Sequence, residues 1–298
     1  MCGIVGLFLK NEKLEPDLGR HLSRMLASMS ARGPDSAGIA IYGAGSVERI
    51  KLTLRITDAS SDSDLATGLE AELGAPVDLV RRSNHVVLGI PGDRQSEALA
   101  WLHQHYAGVH LVSAGSRMEI YKEVGRPEQV AGQFKLSEMR GTHGIGHTRM
   151  ATESAVTTDG AHPFSTGADQ CLVHNGSLSN HNAVRRNLKR EGLVFETEND
   201  SEVAAGYLTW RMRGGDSLRE ALTSSIDALD GFFTFVVGTR DGFAVLRDPI
   251  ACKPAVMAES DDYVAFGSEF RALAVLPGIE DARVFEPEPA TVYAWERR

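Results

Sequence analysis

Cysteine is scarce in this chain: Cys2, Cys171 and Cys252 are the only three among 298 residues. An odd number at wide spacing with no CxxC pair excludes a disulfide framework and a cysteine zinc site. Positive charge is also in deficit, with 31 Lys and Arg against 40 Asp and Glu for a net charge of −9. That balance argues against a nucleic-acid partner, which needs clustered basic residues on one face. No run of about 18 apolar residues is present to span a membrane. The first apolar stretch, Cys2 to Leu9, is too short for a signal h-region, and no basic residues precede it. The expectation is a cytoplasmic protein with no membrane partner. The remaining composition, 42% hydrophobic and 24% charged, is that of an ordinary folded chain. Its length allows one large domain or two smaller ones, and one core carrying an insertion is the preferred reading.

The hydrophobic period places the elements. Residues 2–9 are bounded by Gly and rich in Ile, Val, Leu and Phe, as a central strand would be. Leu18, Leu22, Met25, Leu26 and Met29 recur at helical spacing, and Gly33-Pro34 stops that helix. Strand-like composition returns at Ser36–Tyr42 and Val47–Leu54. A Ser/Asp-rich stretch from Thr57 to Asp64 marks a boundary, after which residues 58–140 read as a small α+β insert. That insert holds strands at His85–Ile90, Val109–Ser113 and Met118–Glu123 and a helix at Gln95–Tyr106. Strands resume at Ile145–Met150 and Cys171–His174. Asn180–Arg190 and Ser201–Met212 carry helical patterns, and Ser217 with Glu220 forms a capping box. The last quarter is strand-rich, at Phe232–Val237, Phe243–Arg247, Tyr263–Phe266 and Thr291–Trp295.

Cys2 carries the chemistry. Removal of Met1 before this small residue leaves a thiol and a free α-amine on one residue, a nucleophile with its own base attached. An α-amine titrates near 8 and a thiol near 8.5, so the proton passes between them close to neutral pH without a histidine. Alone, a Cys at position 2 is better explained by chance. Other segments add weight. Arg32-Gly33-Pro34-Asp35-Ser36-Ala37-Gly38 is a turn between helix and strand, or a mere helix stop. Arg149, in His147-Thr148-Arg149-Met150-Ala151-Thr152, ends a strand where it can grip a carboxylate with two parallel hydrogen bonds, or form a surface ion pair. Asn175-Gly176 offers a side-chain amide and a backbone N–H, the two donors of an oxyanion hole, but Asn-Gly is also a common hairpin turn. Asp200 opens a helix and can be its N-cap.

The order of these segments resembles the class II, N-terminal-nucleophile glutamine amidotransferases. The matching elements are Cys2-Gly3-Ile4-Val5-Gly6, the Arg32–Gly38 turn, His147–Thr152, His162-Pro163-Phe164, His174-Asn175-Gly176 with Asn180, and Asp200-Ser201-Glu202. Arg247-Asp248-Pro249 with Lys253-Pro254 resembles the family's RDxxGxKP element, with Ala251 in place of its Gly, and Gly267-Ser268-Glu269 resembles its (A/G)SE. The resemblance implies an α+β fold, a four-layer αββα sandwich of the N-terminal-nucleophile type. It implies L-glutamine as substrate, Cys2 as nucleophile and base, and Asn175 and Gly176 as oxyanion donors. Arg149 would hold the α-carboxylate and Asp200 the α-ammonium, while Arg32 and Thr152 would line the pocket and a loop at 33–38 would close over it. Met150 and Glu153 depart from residues common at their places in the family.

Only thirty residues follow Ser268, enough to finish the sandwich, so an acceptor site is expected on partner synthase subunits. The chain resembles the amidotransferase subunit of N-methylglutamate synthase, itself similar to part of glutamate synthase. That resemblance implies a hetero-oligomer whose partners carry FMN and iron–sulfur clusters, with no cofactor in this chain. Two other readings compete. A catalytically silent scaffold follows if Met1 is retained, since Cys2 then has no free amine. A metal hydrolase would use His143, His147 and His162, although Gly141, Gly144 and Gly146 disfavour the helix that an HExxH-like spacing needs.

Overall fold

The computed structural model describes residues 2–57, 62–151 and 155–297. Its strands are β1 Gly3–Leu9, β2 Ser36–Tyr42, β3 Arg49–Ile56, β4 Asp78–Arg82, β5 His85–Pro91, β6 Val109–Gly115, β7 Met118–Val124 and β8 His143–Arg149. They continue as β9 Phe164–Gly167, β10 Gln170–Leu178, β11 Gly231–Thr239, β12 Gly242–Arg247, β13 Val256–Glu259, β14 Tyr263–Gly267, β15 Arg283–Phe285 and β16 Val292–Glu296. The helices are α1 Leu18–Ser28, α2 Asp62–Leu73, α3 Gln95–His105, α4 Pro127–Gln133, α5 His181–Arg190, α6 Asp200–Arg213, α7 Leu218–Ala228 and α8 Phe270–Leu273.

Two antiparallel sheets face each other. One has seven strands in the order β15-β13-β14-β1-β8-β2-β7, the other five in the order β16-β12-β11-β10-β9. Three apolar cores alternate with them. Leu18, Leu22, Met25 and Leu26 of α1 pack with Phe134 and Leu273 on the outer face of the seven-stranded sheet. Ile4, Phe8, Val173, Val236 and Phe266 fill the space between the sheets. Leu172, Leu178, Leu188, Leu208 and Leu222 join the five-stranded sheet to α5, α6 and α7. This is the αββα sandwich. Burial on both faces explains why β1 reads as a continuous apolar run rather than an alternation.

A third sheet, of order β4-β5-β3-β6, packs with α2 and α3 around its own core of Leu54, Leu65, Leu69, Leu88 and Leu102. Its strands run from Arg49 to Gly115, so its bounds differ from the 58–140 drawn from composition. β7 pairs with β2 in the seven-stranded sheet, and α4 packs beneath it with α1. The Ser/Asp-rich stretch is not the boundary. Residues 58–61 lie outside the described residues, but Asp62 and Asp64 sit in the first turn of α2, where carboxylates suit the helix dipole. Leu65, Leu69 and Leu73, four apart, mark the buried side of that helix.

Candidate active site

The chain start is held at the centre of the molecule. β1 pairs antiparallel with β8 on one side and β14 on the other. Ser268, just past β14, accepts from Ile4 N through its Oγ at 2.9 Å and returns its own N–H to Ile4 O at 3.0 Å. Cys2, half-buried, is therefore fixed immediately before β1. Its carbonyl oxygen accepts two side-chain donors, Arg32 Nε at 2.9 Å and Asn175 Nδ2 at 3.4 Å. Arg32 is buried and pairs through Nη1 with Glu269 Oε1 at 2.6 Å. Hydrogen bonding from Arg32, with Arg271 beside it, holds the Glu269 carboxyl below its usual range. Glu269, the last residue of the (A/G)SE-like element, had no role assigned from sequence; its partner Arg32 stands 237 positions away.

The Arg32 turn is locked to the end of β8. Asp35 N donates to Arg149 O at 3.1 Å, and Asp35 Oδ2 accepts from Ala151 N at 2.8 Å. A Cβ on Gly33 would lie 2.4 Å from the backbone carbon of Thr148, so only glycine permits this approach. Ser36 to Gly38 are not a closing loop. They belong to β2, paired on both edges with β8 and β7. Arg149 is buried, and its Nη1 donates to Ala155 O at 3.4 Å. Thr152 and Glu153 lie outside the described residues.

Asn175 and Gly176 do not form a hairpin turn, because β10 runs on to Leu178 with Asn175 opposite Thr234 and Gly176 opposite Phe233. The Asn175 side chain crosses to the facing sheet, as its bond to Cys2 shows. The direction of the Gly176 N–H follows from the ladder. Phe233 turns both backbone groups to Asp248, its N–H to Oδ1 at 3.1 Å and its C=O to Asp248 N at 3.0 Å. A residue bonded on one side in this way is a non-hydrogen-bonded partner on the other. The Gly176 N–H thus points away from β11. His174 and Leu178, at the same parity, confirm the direction: His174 N donates to His162 Nδ1 at 3.3 Å and Leu178 N to Asp200 Oδ2 at 2.9 Å. A Cβ on Gly176 would sit 2.0 Å from Phe232 O, which excludes any other residue.

Asp200 is the first residue of α6 rather than its cap; Asn199 is the N-cap, accepting from Ser201 N. The Asp200 carboxylate therefore lies at a helix N-terminus beside the open flank of β10, with Ser201 Oγ 3.3 Å from its Oδ1. Behind it stand three buried histidines. His147 and His162 stack with centroids 4.0 Å apart, and His147 Nε2 lies 3.2 Å from His174 O. Burial pushes His147 down to about 3 and His162 and His174 below their ordinary value. His162 Nδ1 accepts from a backbone N–H, so it carries no proton.

His143 belongs to another place. Its Nε2 lies 2.8 Å from Thr239 O and its Nδ1 2.8 Å from Thr142 Oγ1. Being four residues from His147 along an extended strand, it is about 13 Å away, too far to share one ion. No group of His, Cys, Asp and Glu able to hold a metal is found among the described residues. Cys171 is buried against Tyr42, and burial raises its thiol to about 11. No helix among the described residues is long and apolar enough to cross a membrane.

Comparison with known proteins adds the lineage. A family model described as a glutamine amidotransferase domain matches residues 147–275. The glutamine amidotransferase-like protein GlxB of Rhizobium meliloti is 60% identical, over 100% of this chain and 99% of that protein. A putative glutamine amidotransferase of Methanothermobacter thermautotrophicus is 33% identical, over 98% of this chain and 99% of its own length. Among solved structures, one described as the allosteric regulatory enzyme of purine biosynthesis has a TM-score of 0.65 at 19% identity. It covers 99% of this chain, which spans 47% of that one. At that identity the likeness speaks for the fold alone.

Proposed function

This chain belongs to the class II glutamine amidotransferases, and we propose that within that family it hydrolyses L-glutamine through a γ-glutamyl thioester on Cys2. The observation that carries the reading is the convergence of Arg32 and Asn175 on the Cys2 carbonyl, with the Gly176 N–H on the adjoining flank of β10. After loss of Met1, the α-amine takes the thiol proton and the sulfur adds to the side-chain amide carbon. Asn175 Nδ2 and Gly176 N–H hold the resulting oxyanion. Its collapse returns the proton to the leaving nitrogen and releases ammonia, leaving the thioester. Water, deprotonated by the same amine, then frees glutamate.

Arg149 grips the substrate α-carboxylate and Asp200 its α-ammonium, with Arg32 lining the pocket; the same role for Thr152 rests on the sequence resemblance alone. A charge pair at one end selects glutamine by length and delivers its amide to Cys2. The ammonia or glutamyl product passes to partner synthase subunits, in an assembly like N-methylglutamate synthase or glutamate synthase. FMN and iron–sulfur clusters belong to those partners. Support for this last part is the sequence resemblance.

The test is an intact mass of the purified chain combined with labelling by a γ-glutamyl diazoketone. The reading requires a mature N-terminus at Cys2 and alkylation of its sulfur, blocked by glutamine. Retained Met1 with no labelling would overturn it and leave a catalytically silent scaffold.

A further inference from the structure

Residues 155–161 are held from two sides, and one side belongs to the separate four-stranded unit. On the near side, Arg149 Nη1 donates to Ala155 O at 3.4 Å, and a Cβ on Gly160 would lie 3.3 Å from the same nitrogen. Ala155 and Gly160 therefore both lie against one edge of the guanidinium. On the far side, Arg55 of β3 pairs with Asp159 Oδ1 at 2.7 Å. Asn84, in the turn between β4 and β5, donates to Glu123 Oε2 at 2.6 Å, while Glu123 Oε1 accepts from Thr158 Oγ1. Lys122, buried on β7, donates to Asp159 O at 3.1 Å and Ala161 O at 3.0 Å. Despite its burial, the Glu123 carboxyl is held below its usual range by its bonds from Thr158, the Val124 N–H and Asn84.

We infer that the four-stranded unit is a clamp on the substrate site: Arg55 and Asn84 are positioning residues that hold residues 155–161 against Arg149 and so set the affinity for the substrate α-carboxylate. The inference rests on the proposed role of Arg149. The ion pair Arg55–Asp159 is half exposed on its acidic side, so it does little for global stability. Its effect is local. Release of Asp159 leaves the segment held through Lys122 and the Thr158–Glu123 bond, and its fit against the guanidinium loosens.

The experiment uses the full chain and two reagents read at Cys2 by mass spectrometry. A γ-glutamyl diazoketone carries the α-carboxylate; iodoacetamide does not. Arg55→Ala, Asn84→Ala and Asp159→Asn should each raise the half-saturating diazoketone concentration about threefold to tenfold. The iodoacetamide rate should stay that of the wild type, as should both rates in a control, Arg94→Ala, whose ion pair with Glu97 lies on the same unit and touches none of the residues 155–161. Arg55→Ala combined with Asp159→Asn should be no worse than either alone, since both remove one contact. Wild-type saturation of Cys2 labelling with unchanged values in all three variants overturns the clamp alone. A wild-type Cys2 that the diazoketone never labels overturns the site reading itself, and the clamp with it.

Discussion

Asn175 Nδ2 lies 3.4 Å from the carbonyl oxygen of Cys2, joining the middle of one sheet to the start of the other. This donor rests on the residue that would attack. Asn175→Ala should therefore lower kcat for glutamine by about a hundredfold or more while leaving KM near its original value. Iodoacetamide modification of Cys2 at the wild-type rate would show that the thiol itself is undisturbed. A kcat within a few fold of wild type would remove Asn175 from the oxyanion site.

Substrate ends can be separated from chemistry. Arg149→Lys keeps the charge but loses the planar fork, so KM should rise about tenfold to a hundredfold with a smaller change in kcat. Asp200→Asn should do the same, because an Asn oxygen can still accept from Leu178 N and preserve the strand edge. Steady-state glutamine kinetics decide both, and an unaltered KM in either excludes that side chain from the pocket.

Buried neutral histidines make the fold acid-sensitive. His143 and His147 are depressed by burial to about 3, against about 6.5 in the unfolded chain. Above 6.5 neither state binds the proton. As the pH falls below that value the unfolded chain takes up protons that the native one refuses, and stability is lost. The limiting slope is about 1.4 kcal/mol per pH unit for each histidine. Urea midpoints should thus drop between pH 6.5 and 5, a range above the carboxylate titrations. His143→Asn should shallow that slope by one proton, and a pH-independent midpoint would contradict the buried neutral state.

Ala251 occupies a left-handed backbone position with φ +51. It stands where the resembling RDxxGxKP element has glycine, and its carbonyl is drawn to Arg247 Nη2. The strain that an L-residue meets there is about 1 kcal/mol. Ala251→Gly should recover most of it and raise Tm by about 2 °C in a thermal melt. A lowered Tm would mean that unfolded-chain entropy outweighs the relief.

Much of the sandwich was legible in the chain. β2, α3 and α5 lie within a residue of their expected bounds, because apolar period and capping are local properties. The segment 62–73 was obscured by polar residues in its first turn, and β4, β9, β13 and β15 were too short to show a period. Those strands exist because a neighbour completes their ladder.

The sequence by itself determined the candidate set, since Cys2, Arg32, Arg149, Asn175, Gly176 and Asp200 all stand in motifs readable in one dimension. Their arrangement was decided by tertiary structure. Whether Asn175-Gly176 turns or continues depends on β11 lying alongside in register, with Thr234 and Phe233 opposite them, whereas the cap of α6 is local, since Asn199 stands directly before Asp200. The grip of Arg55 on Asp159 joins positions 104 apart in sequence. No local propensity encodes such a contact; it follows only when the four-stranded sheet, closed on its own helices, is set beside the loop between β8 and β9.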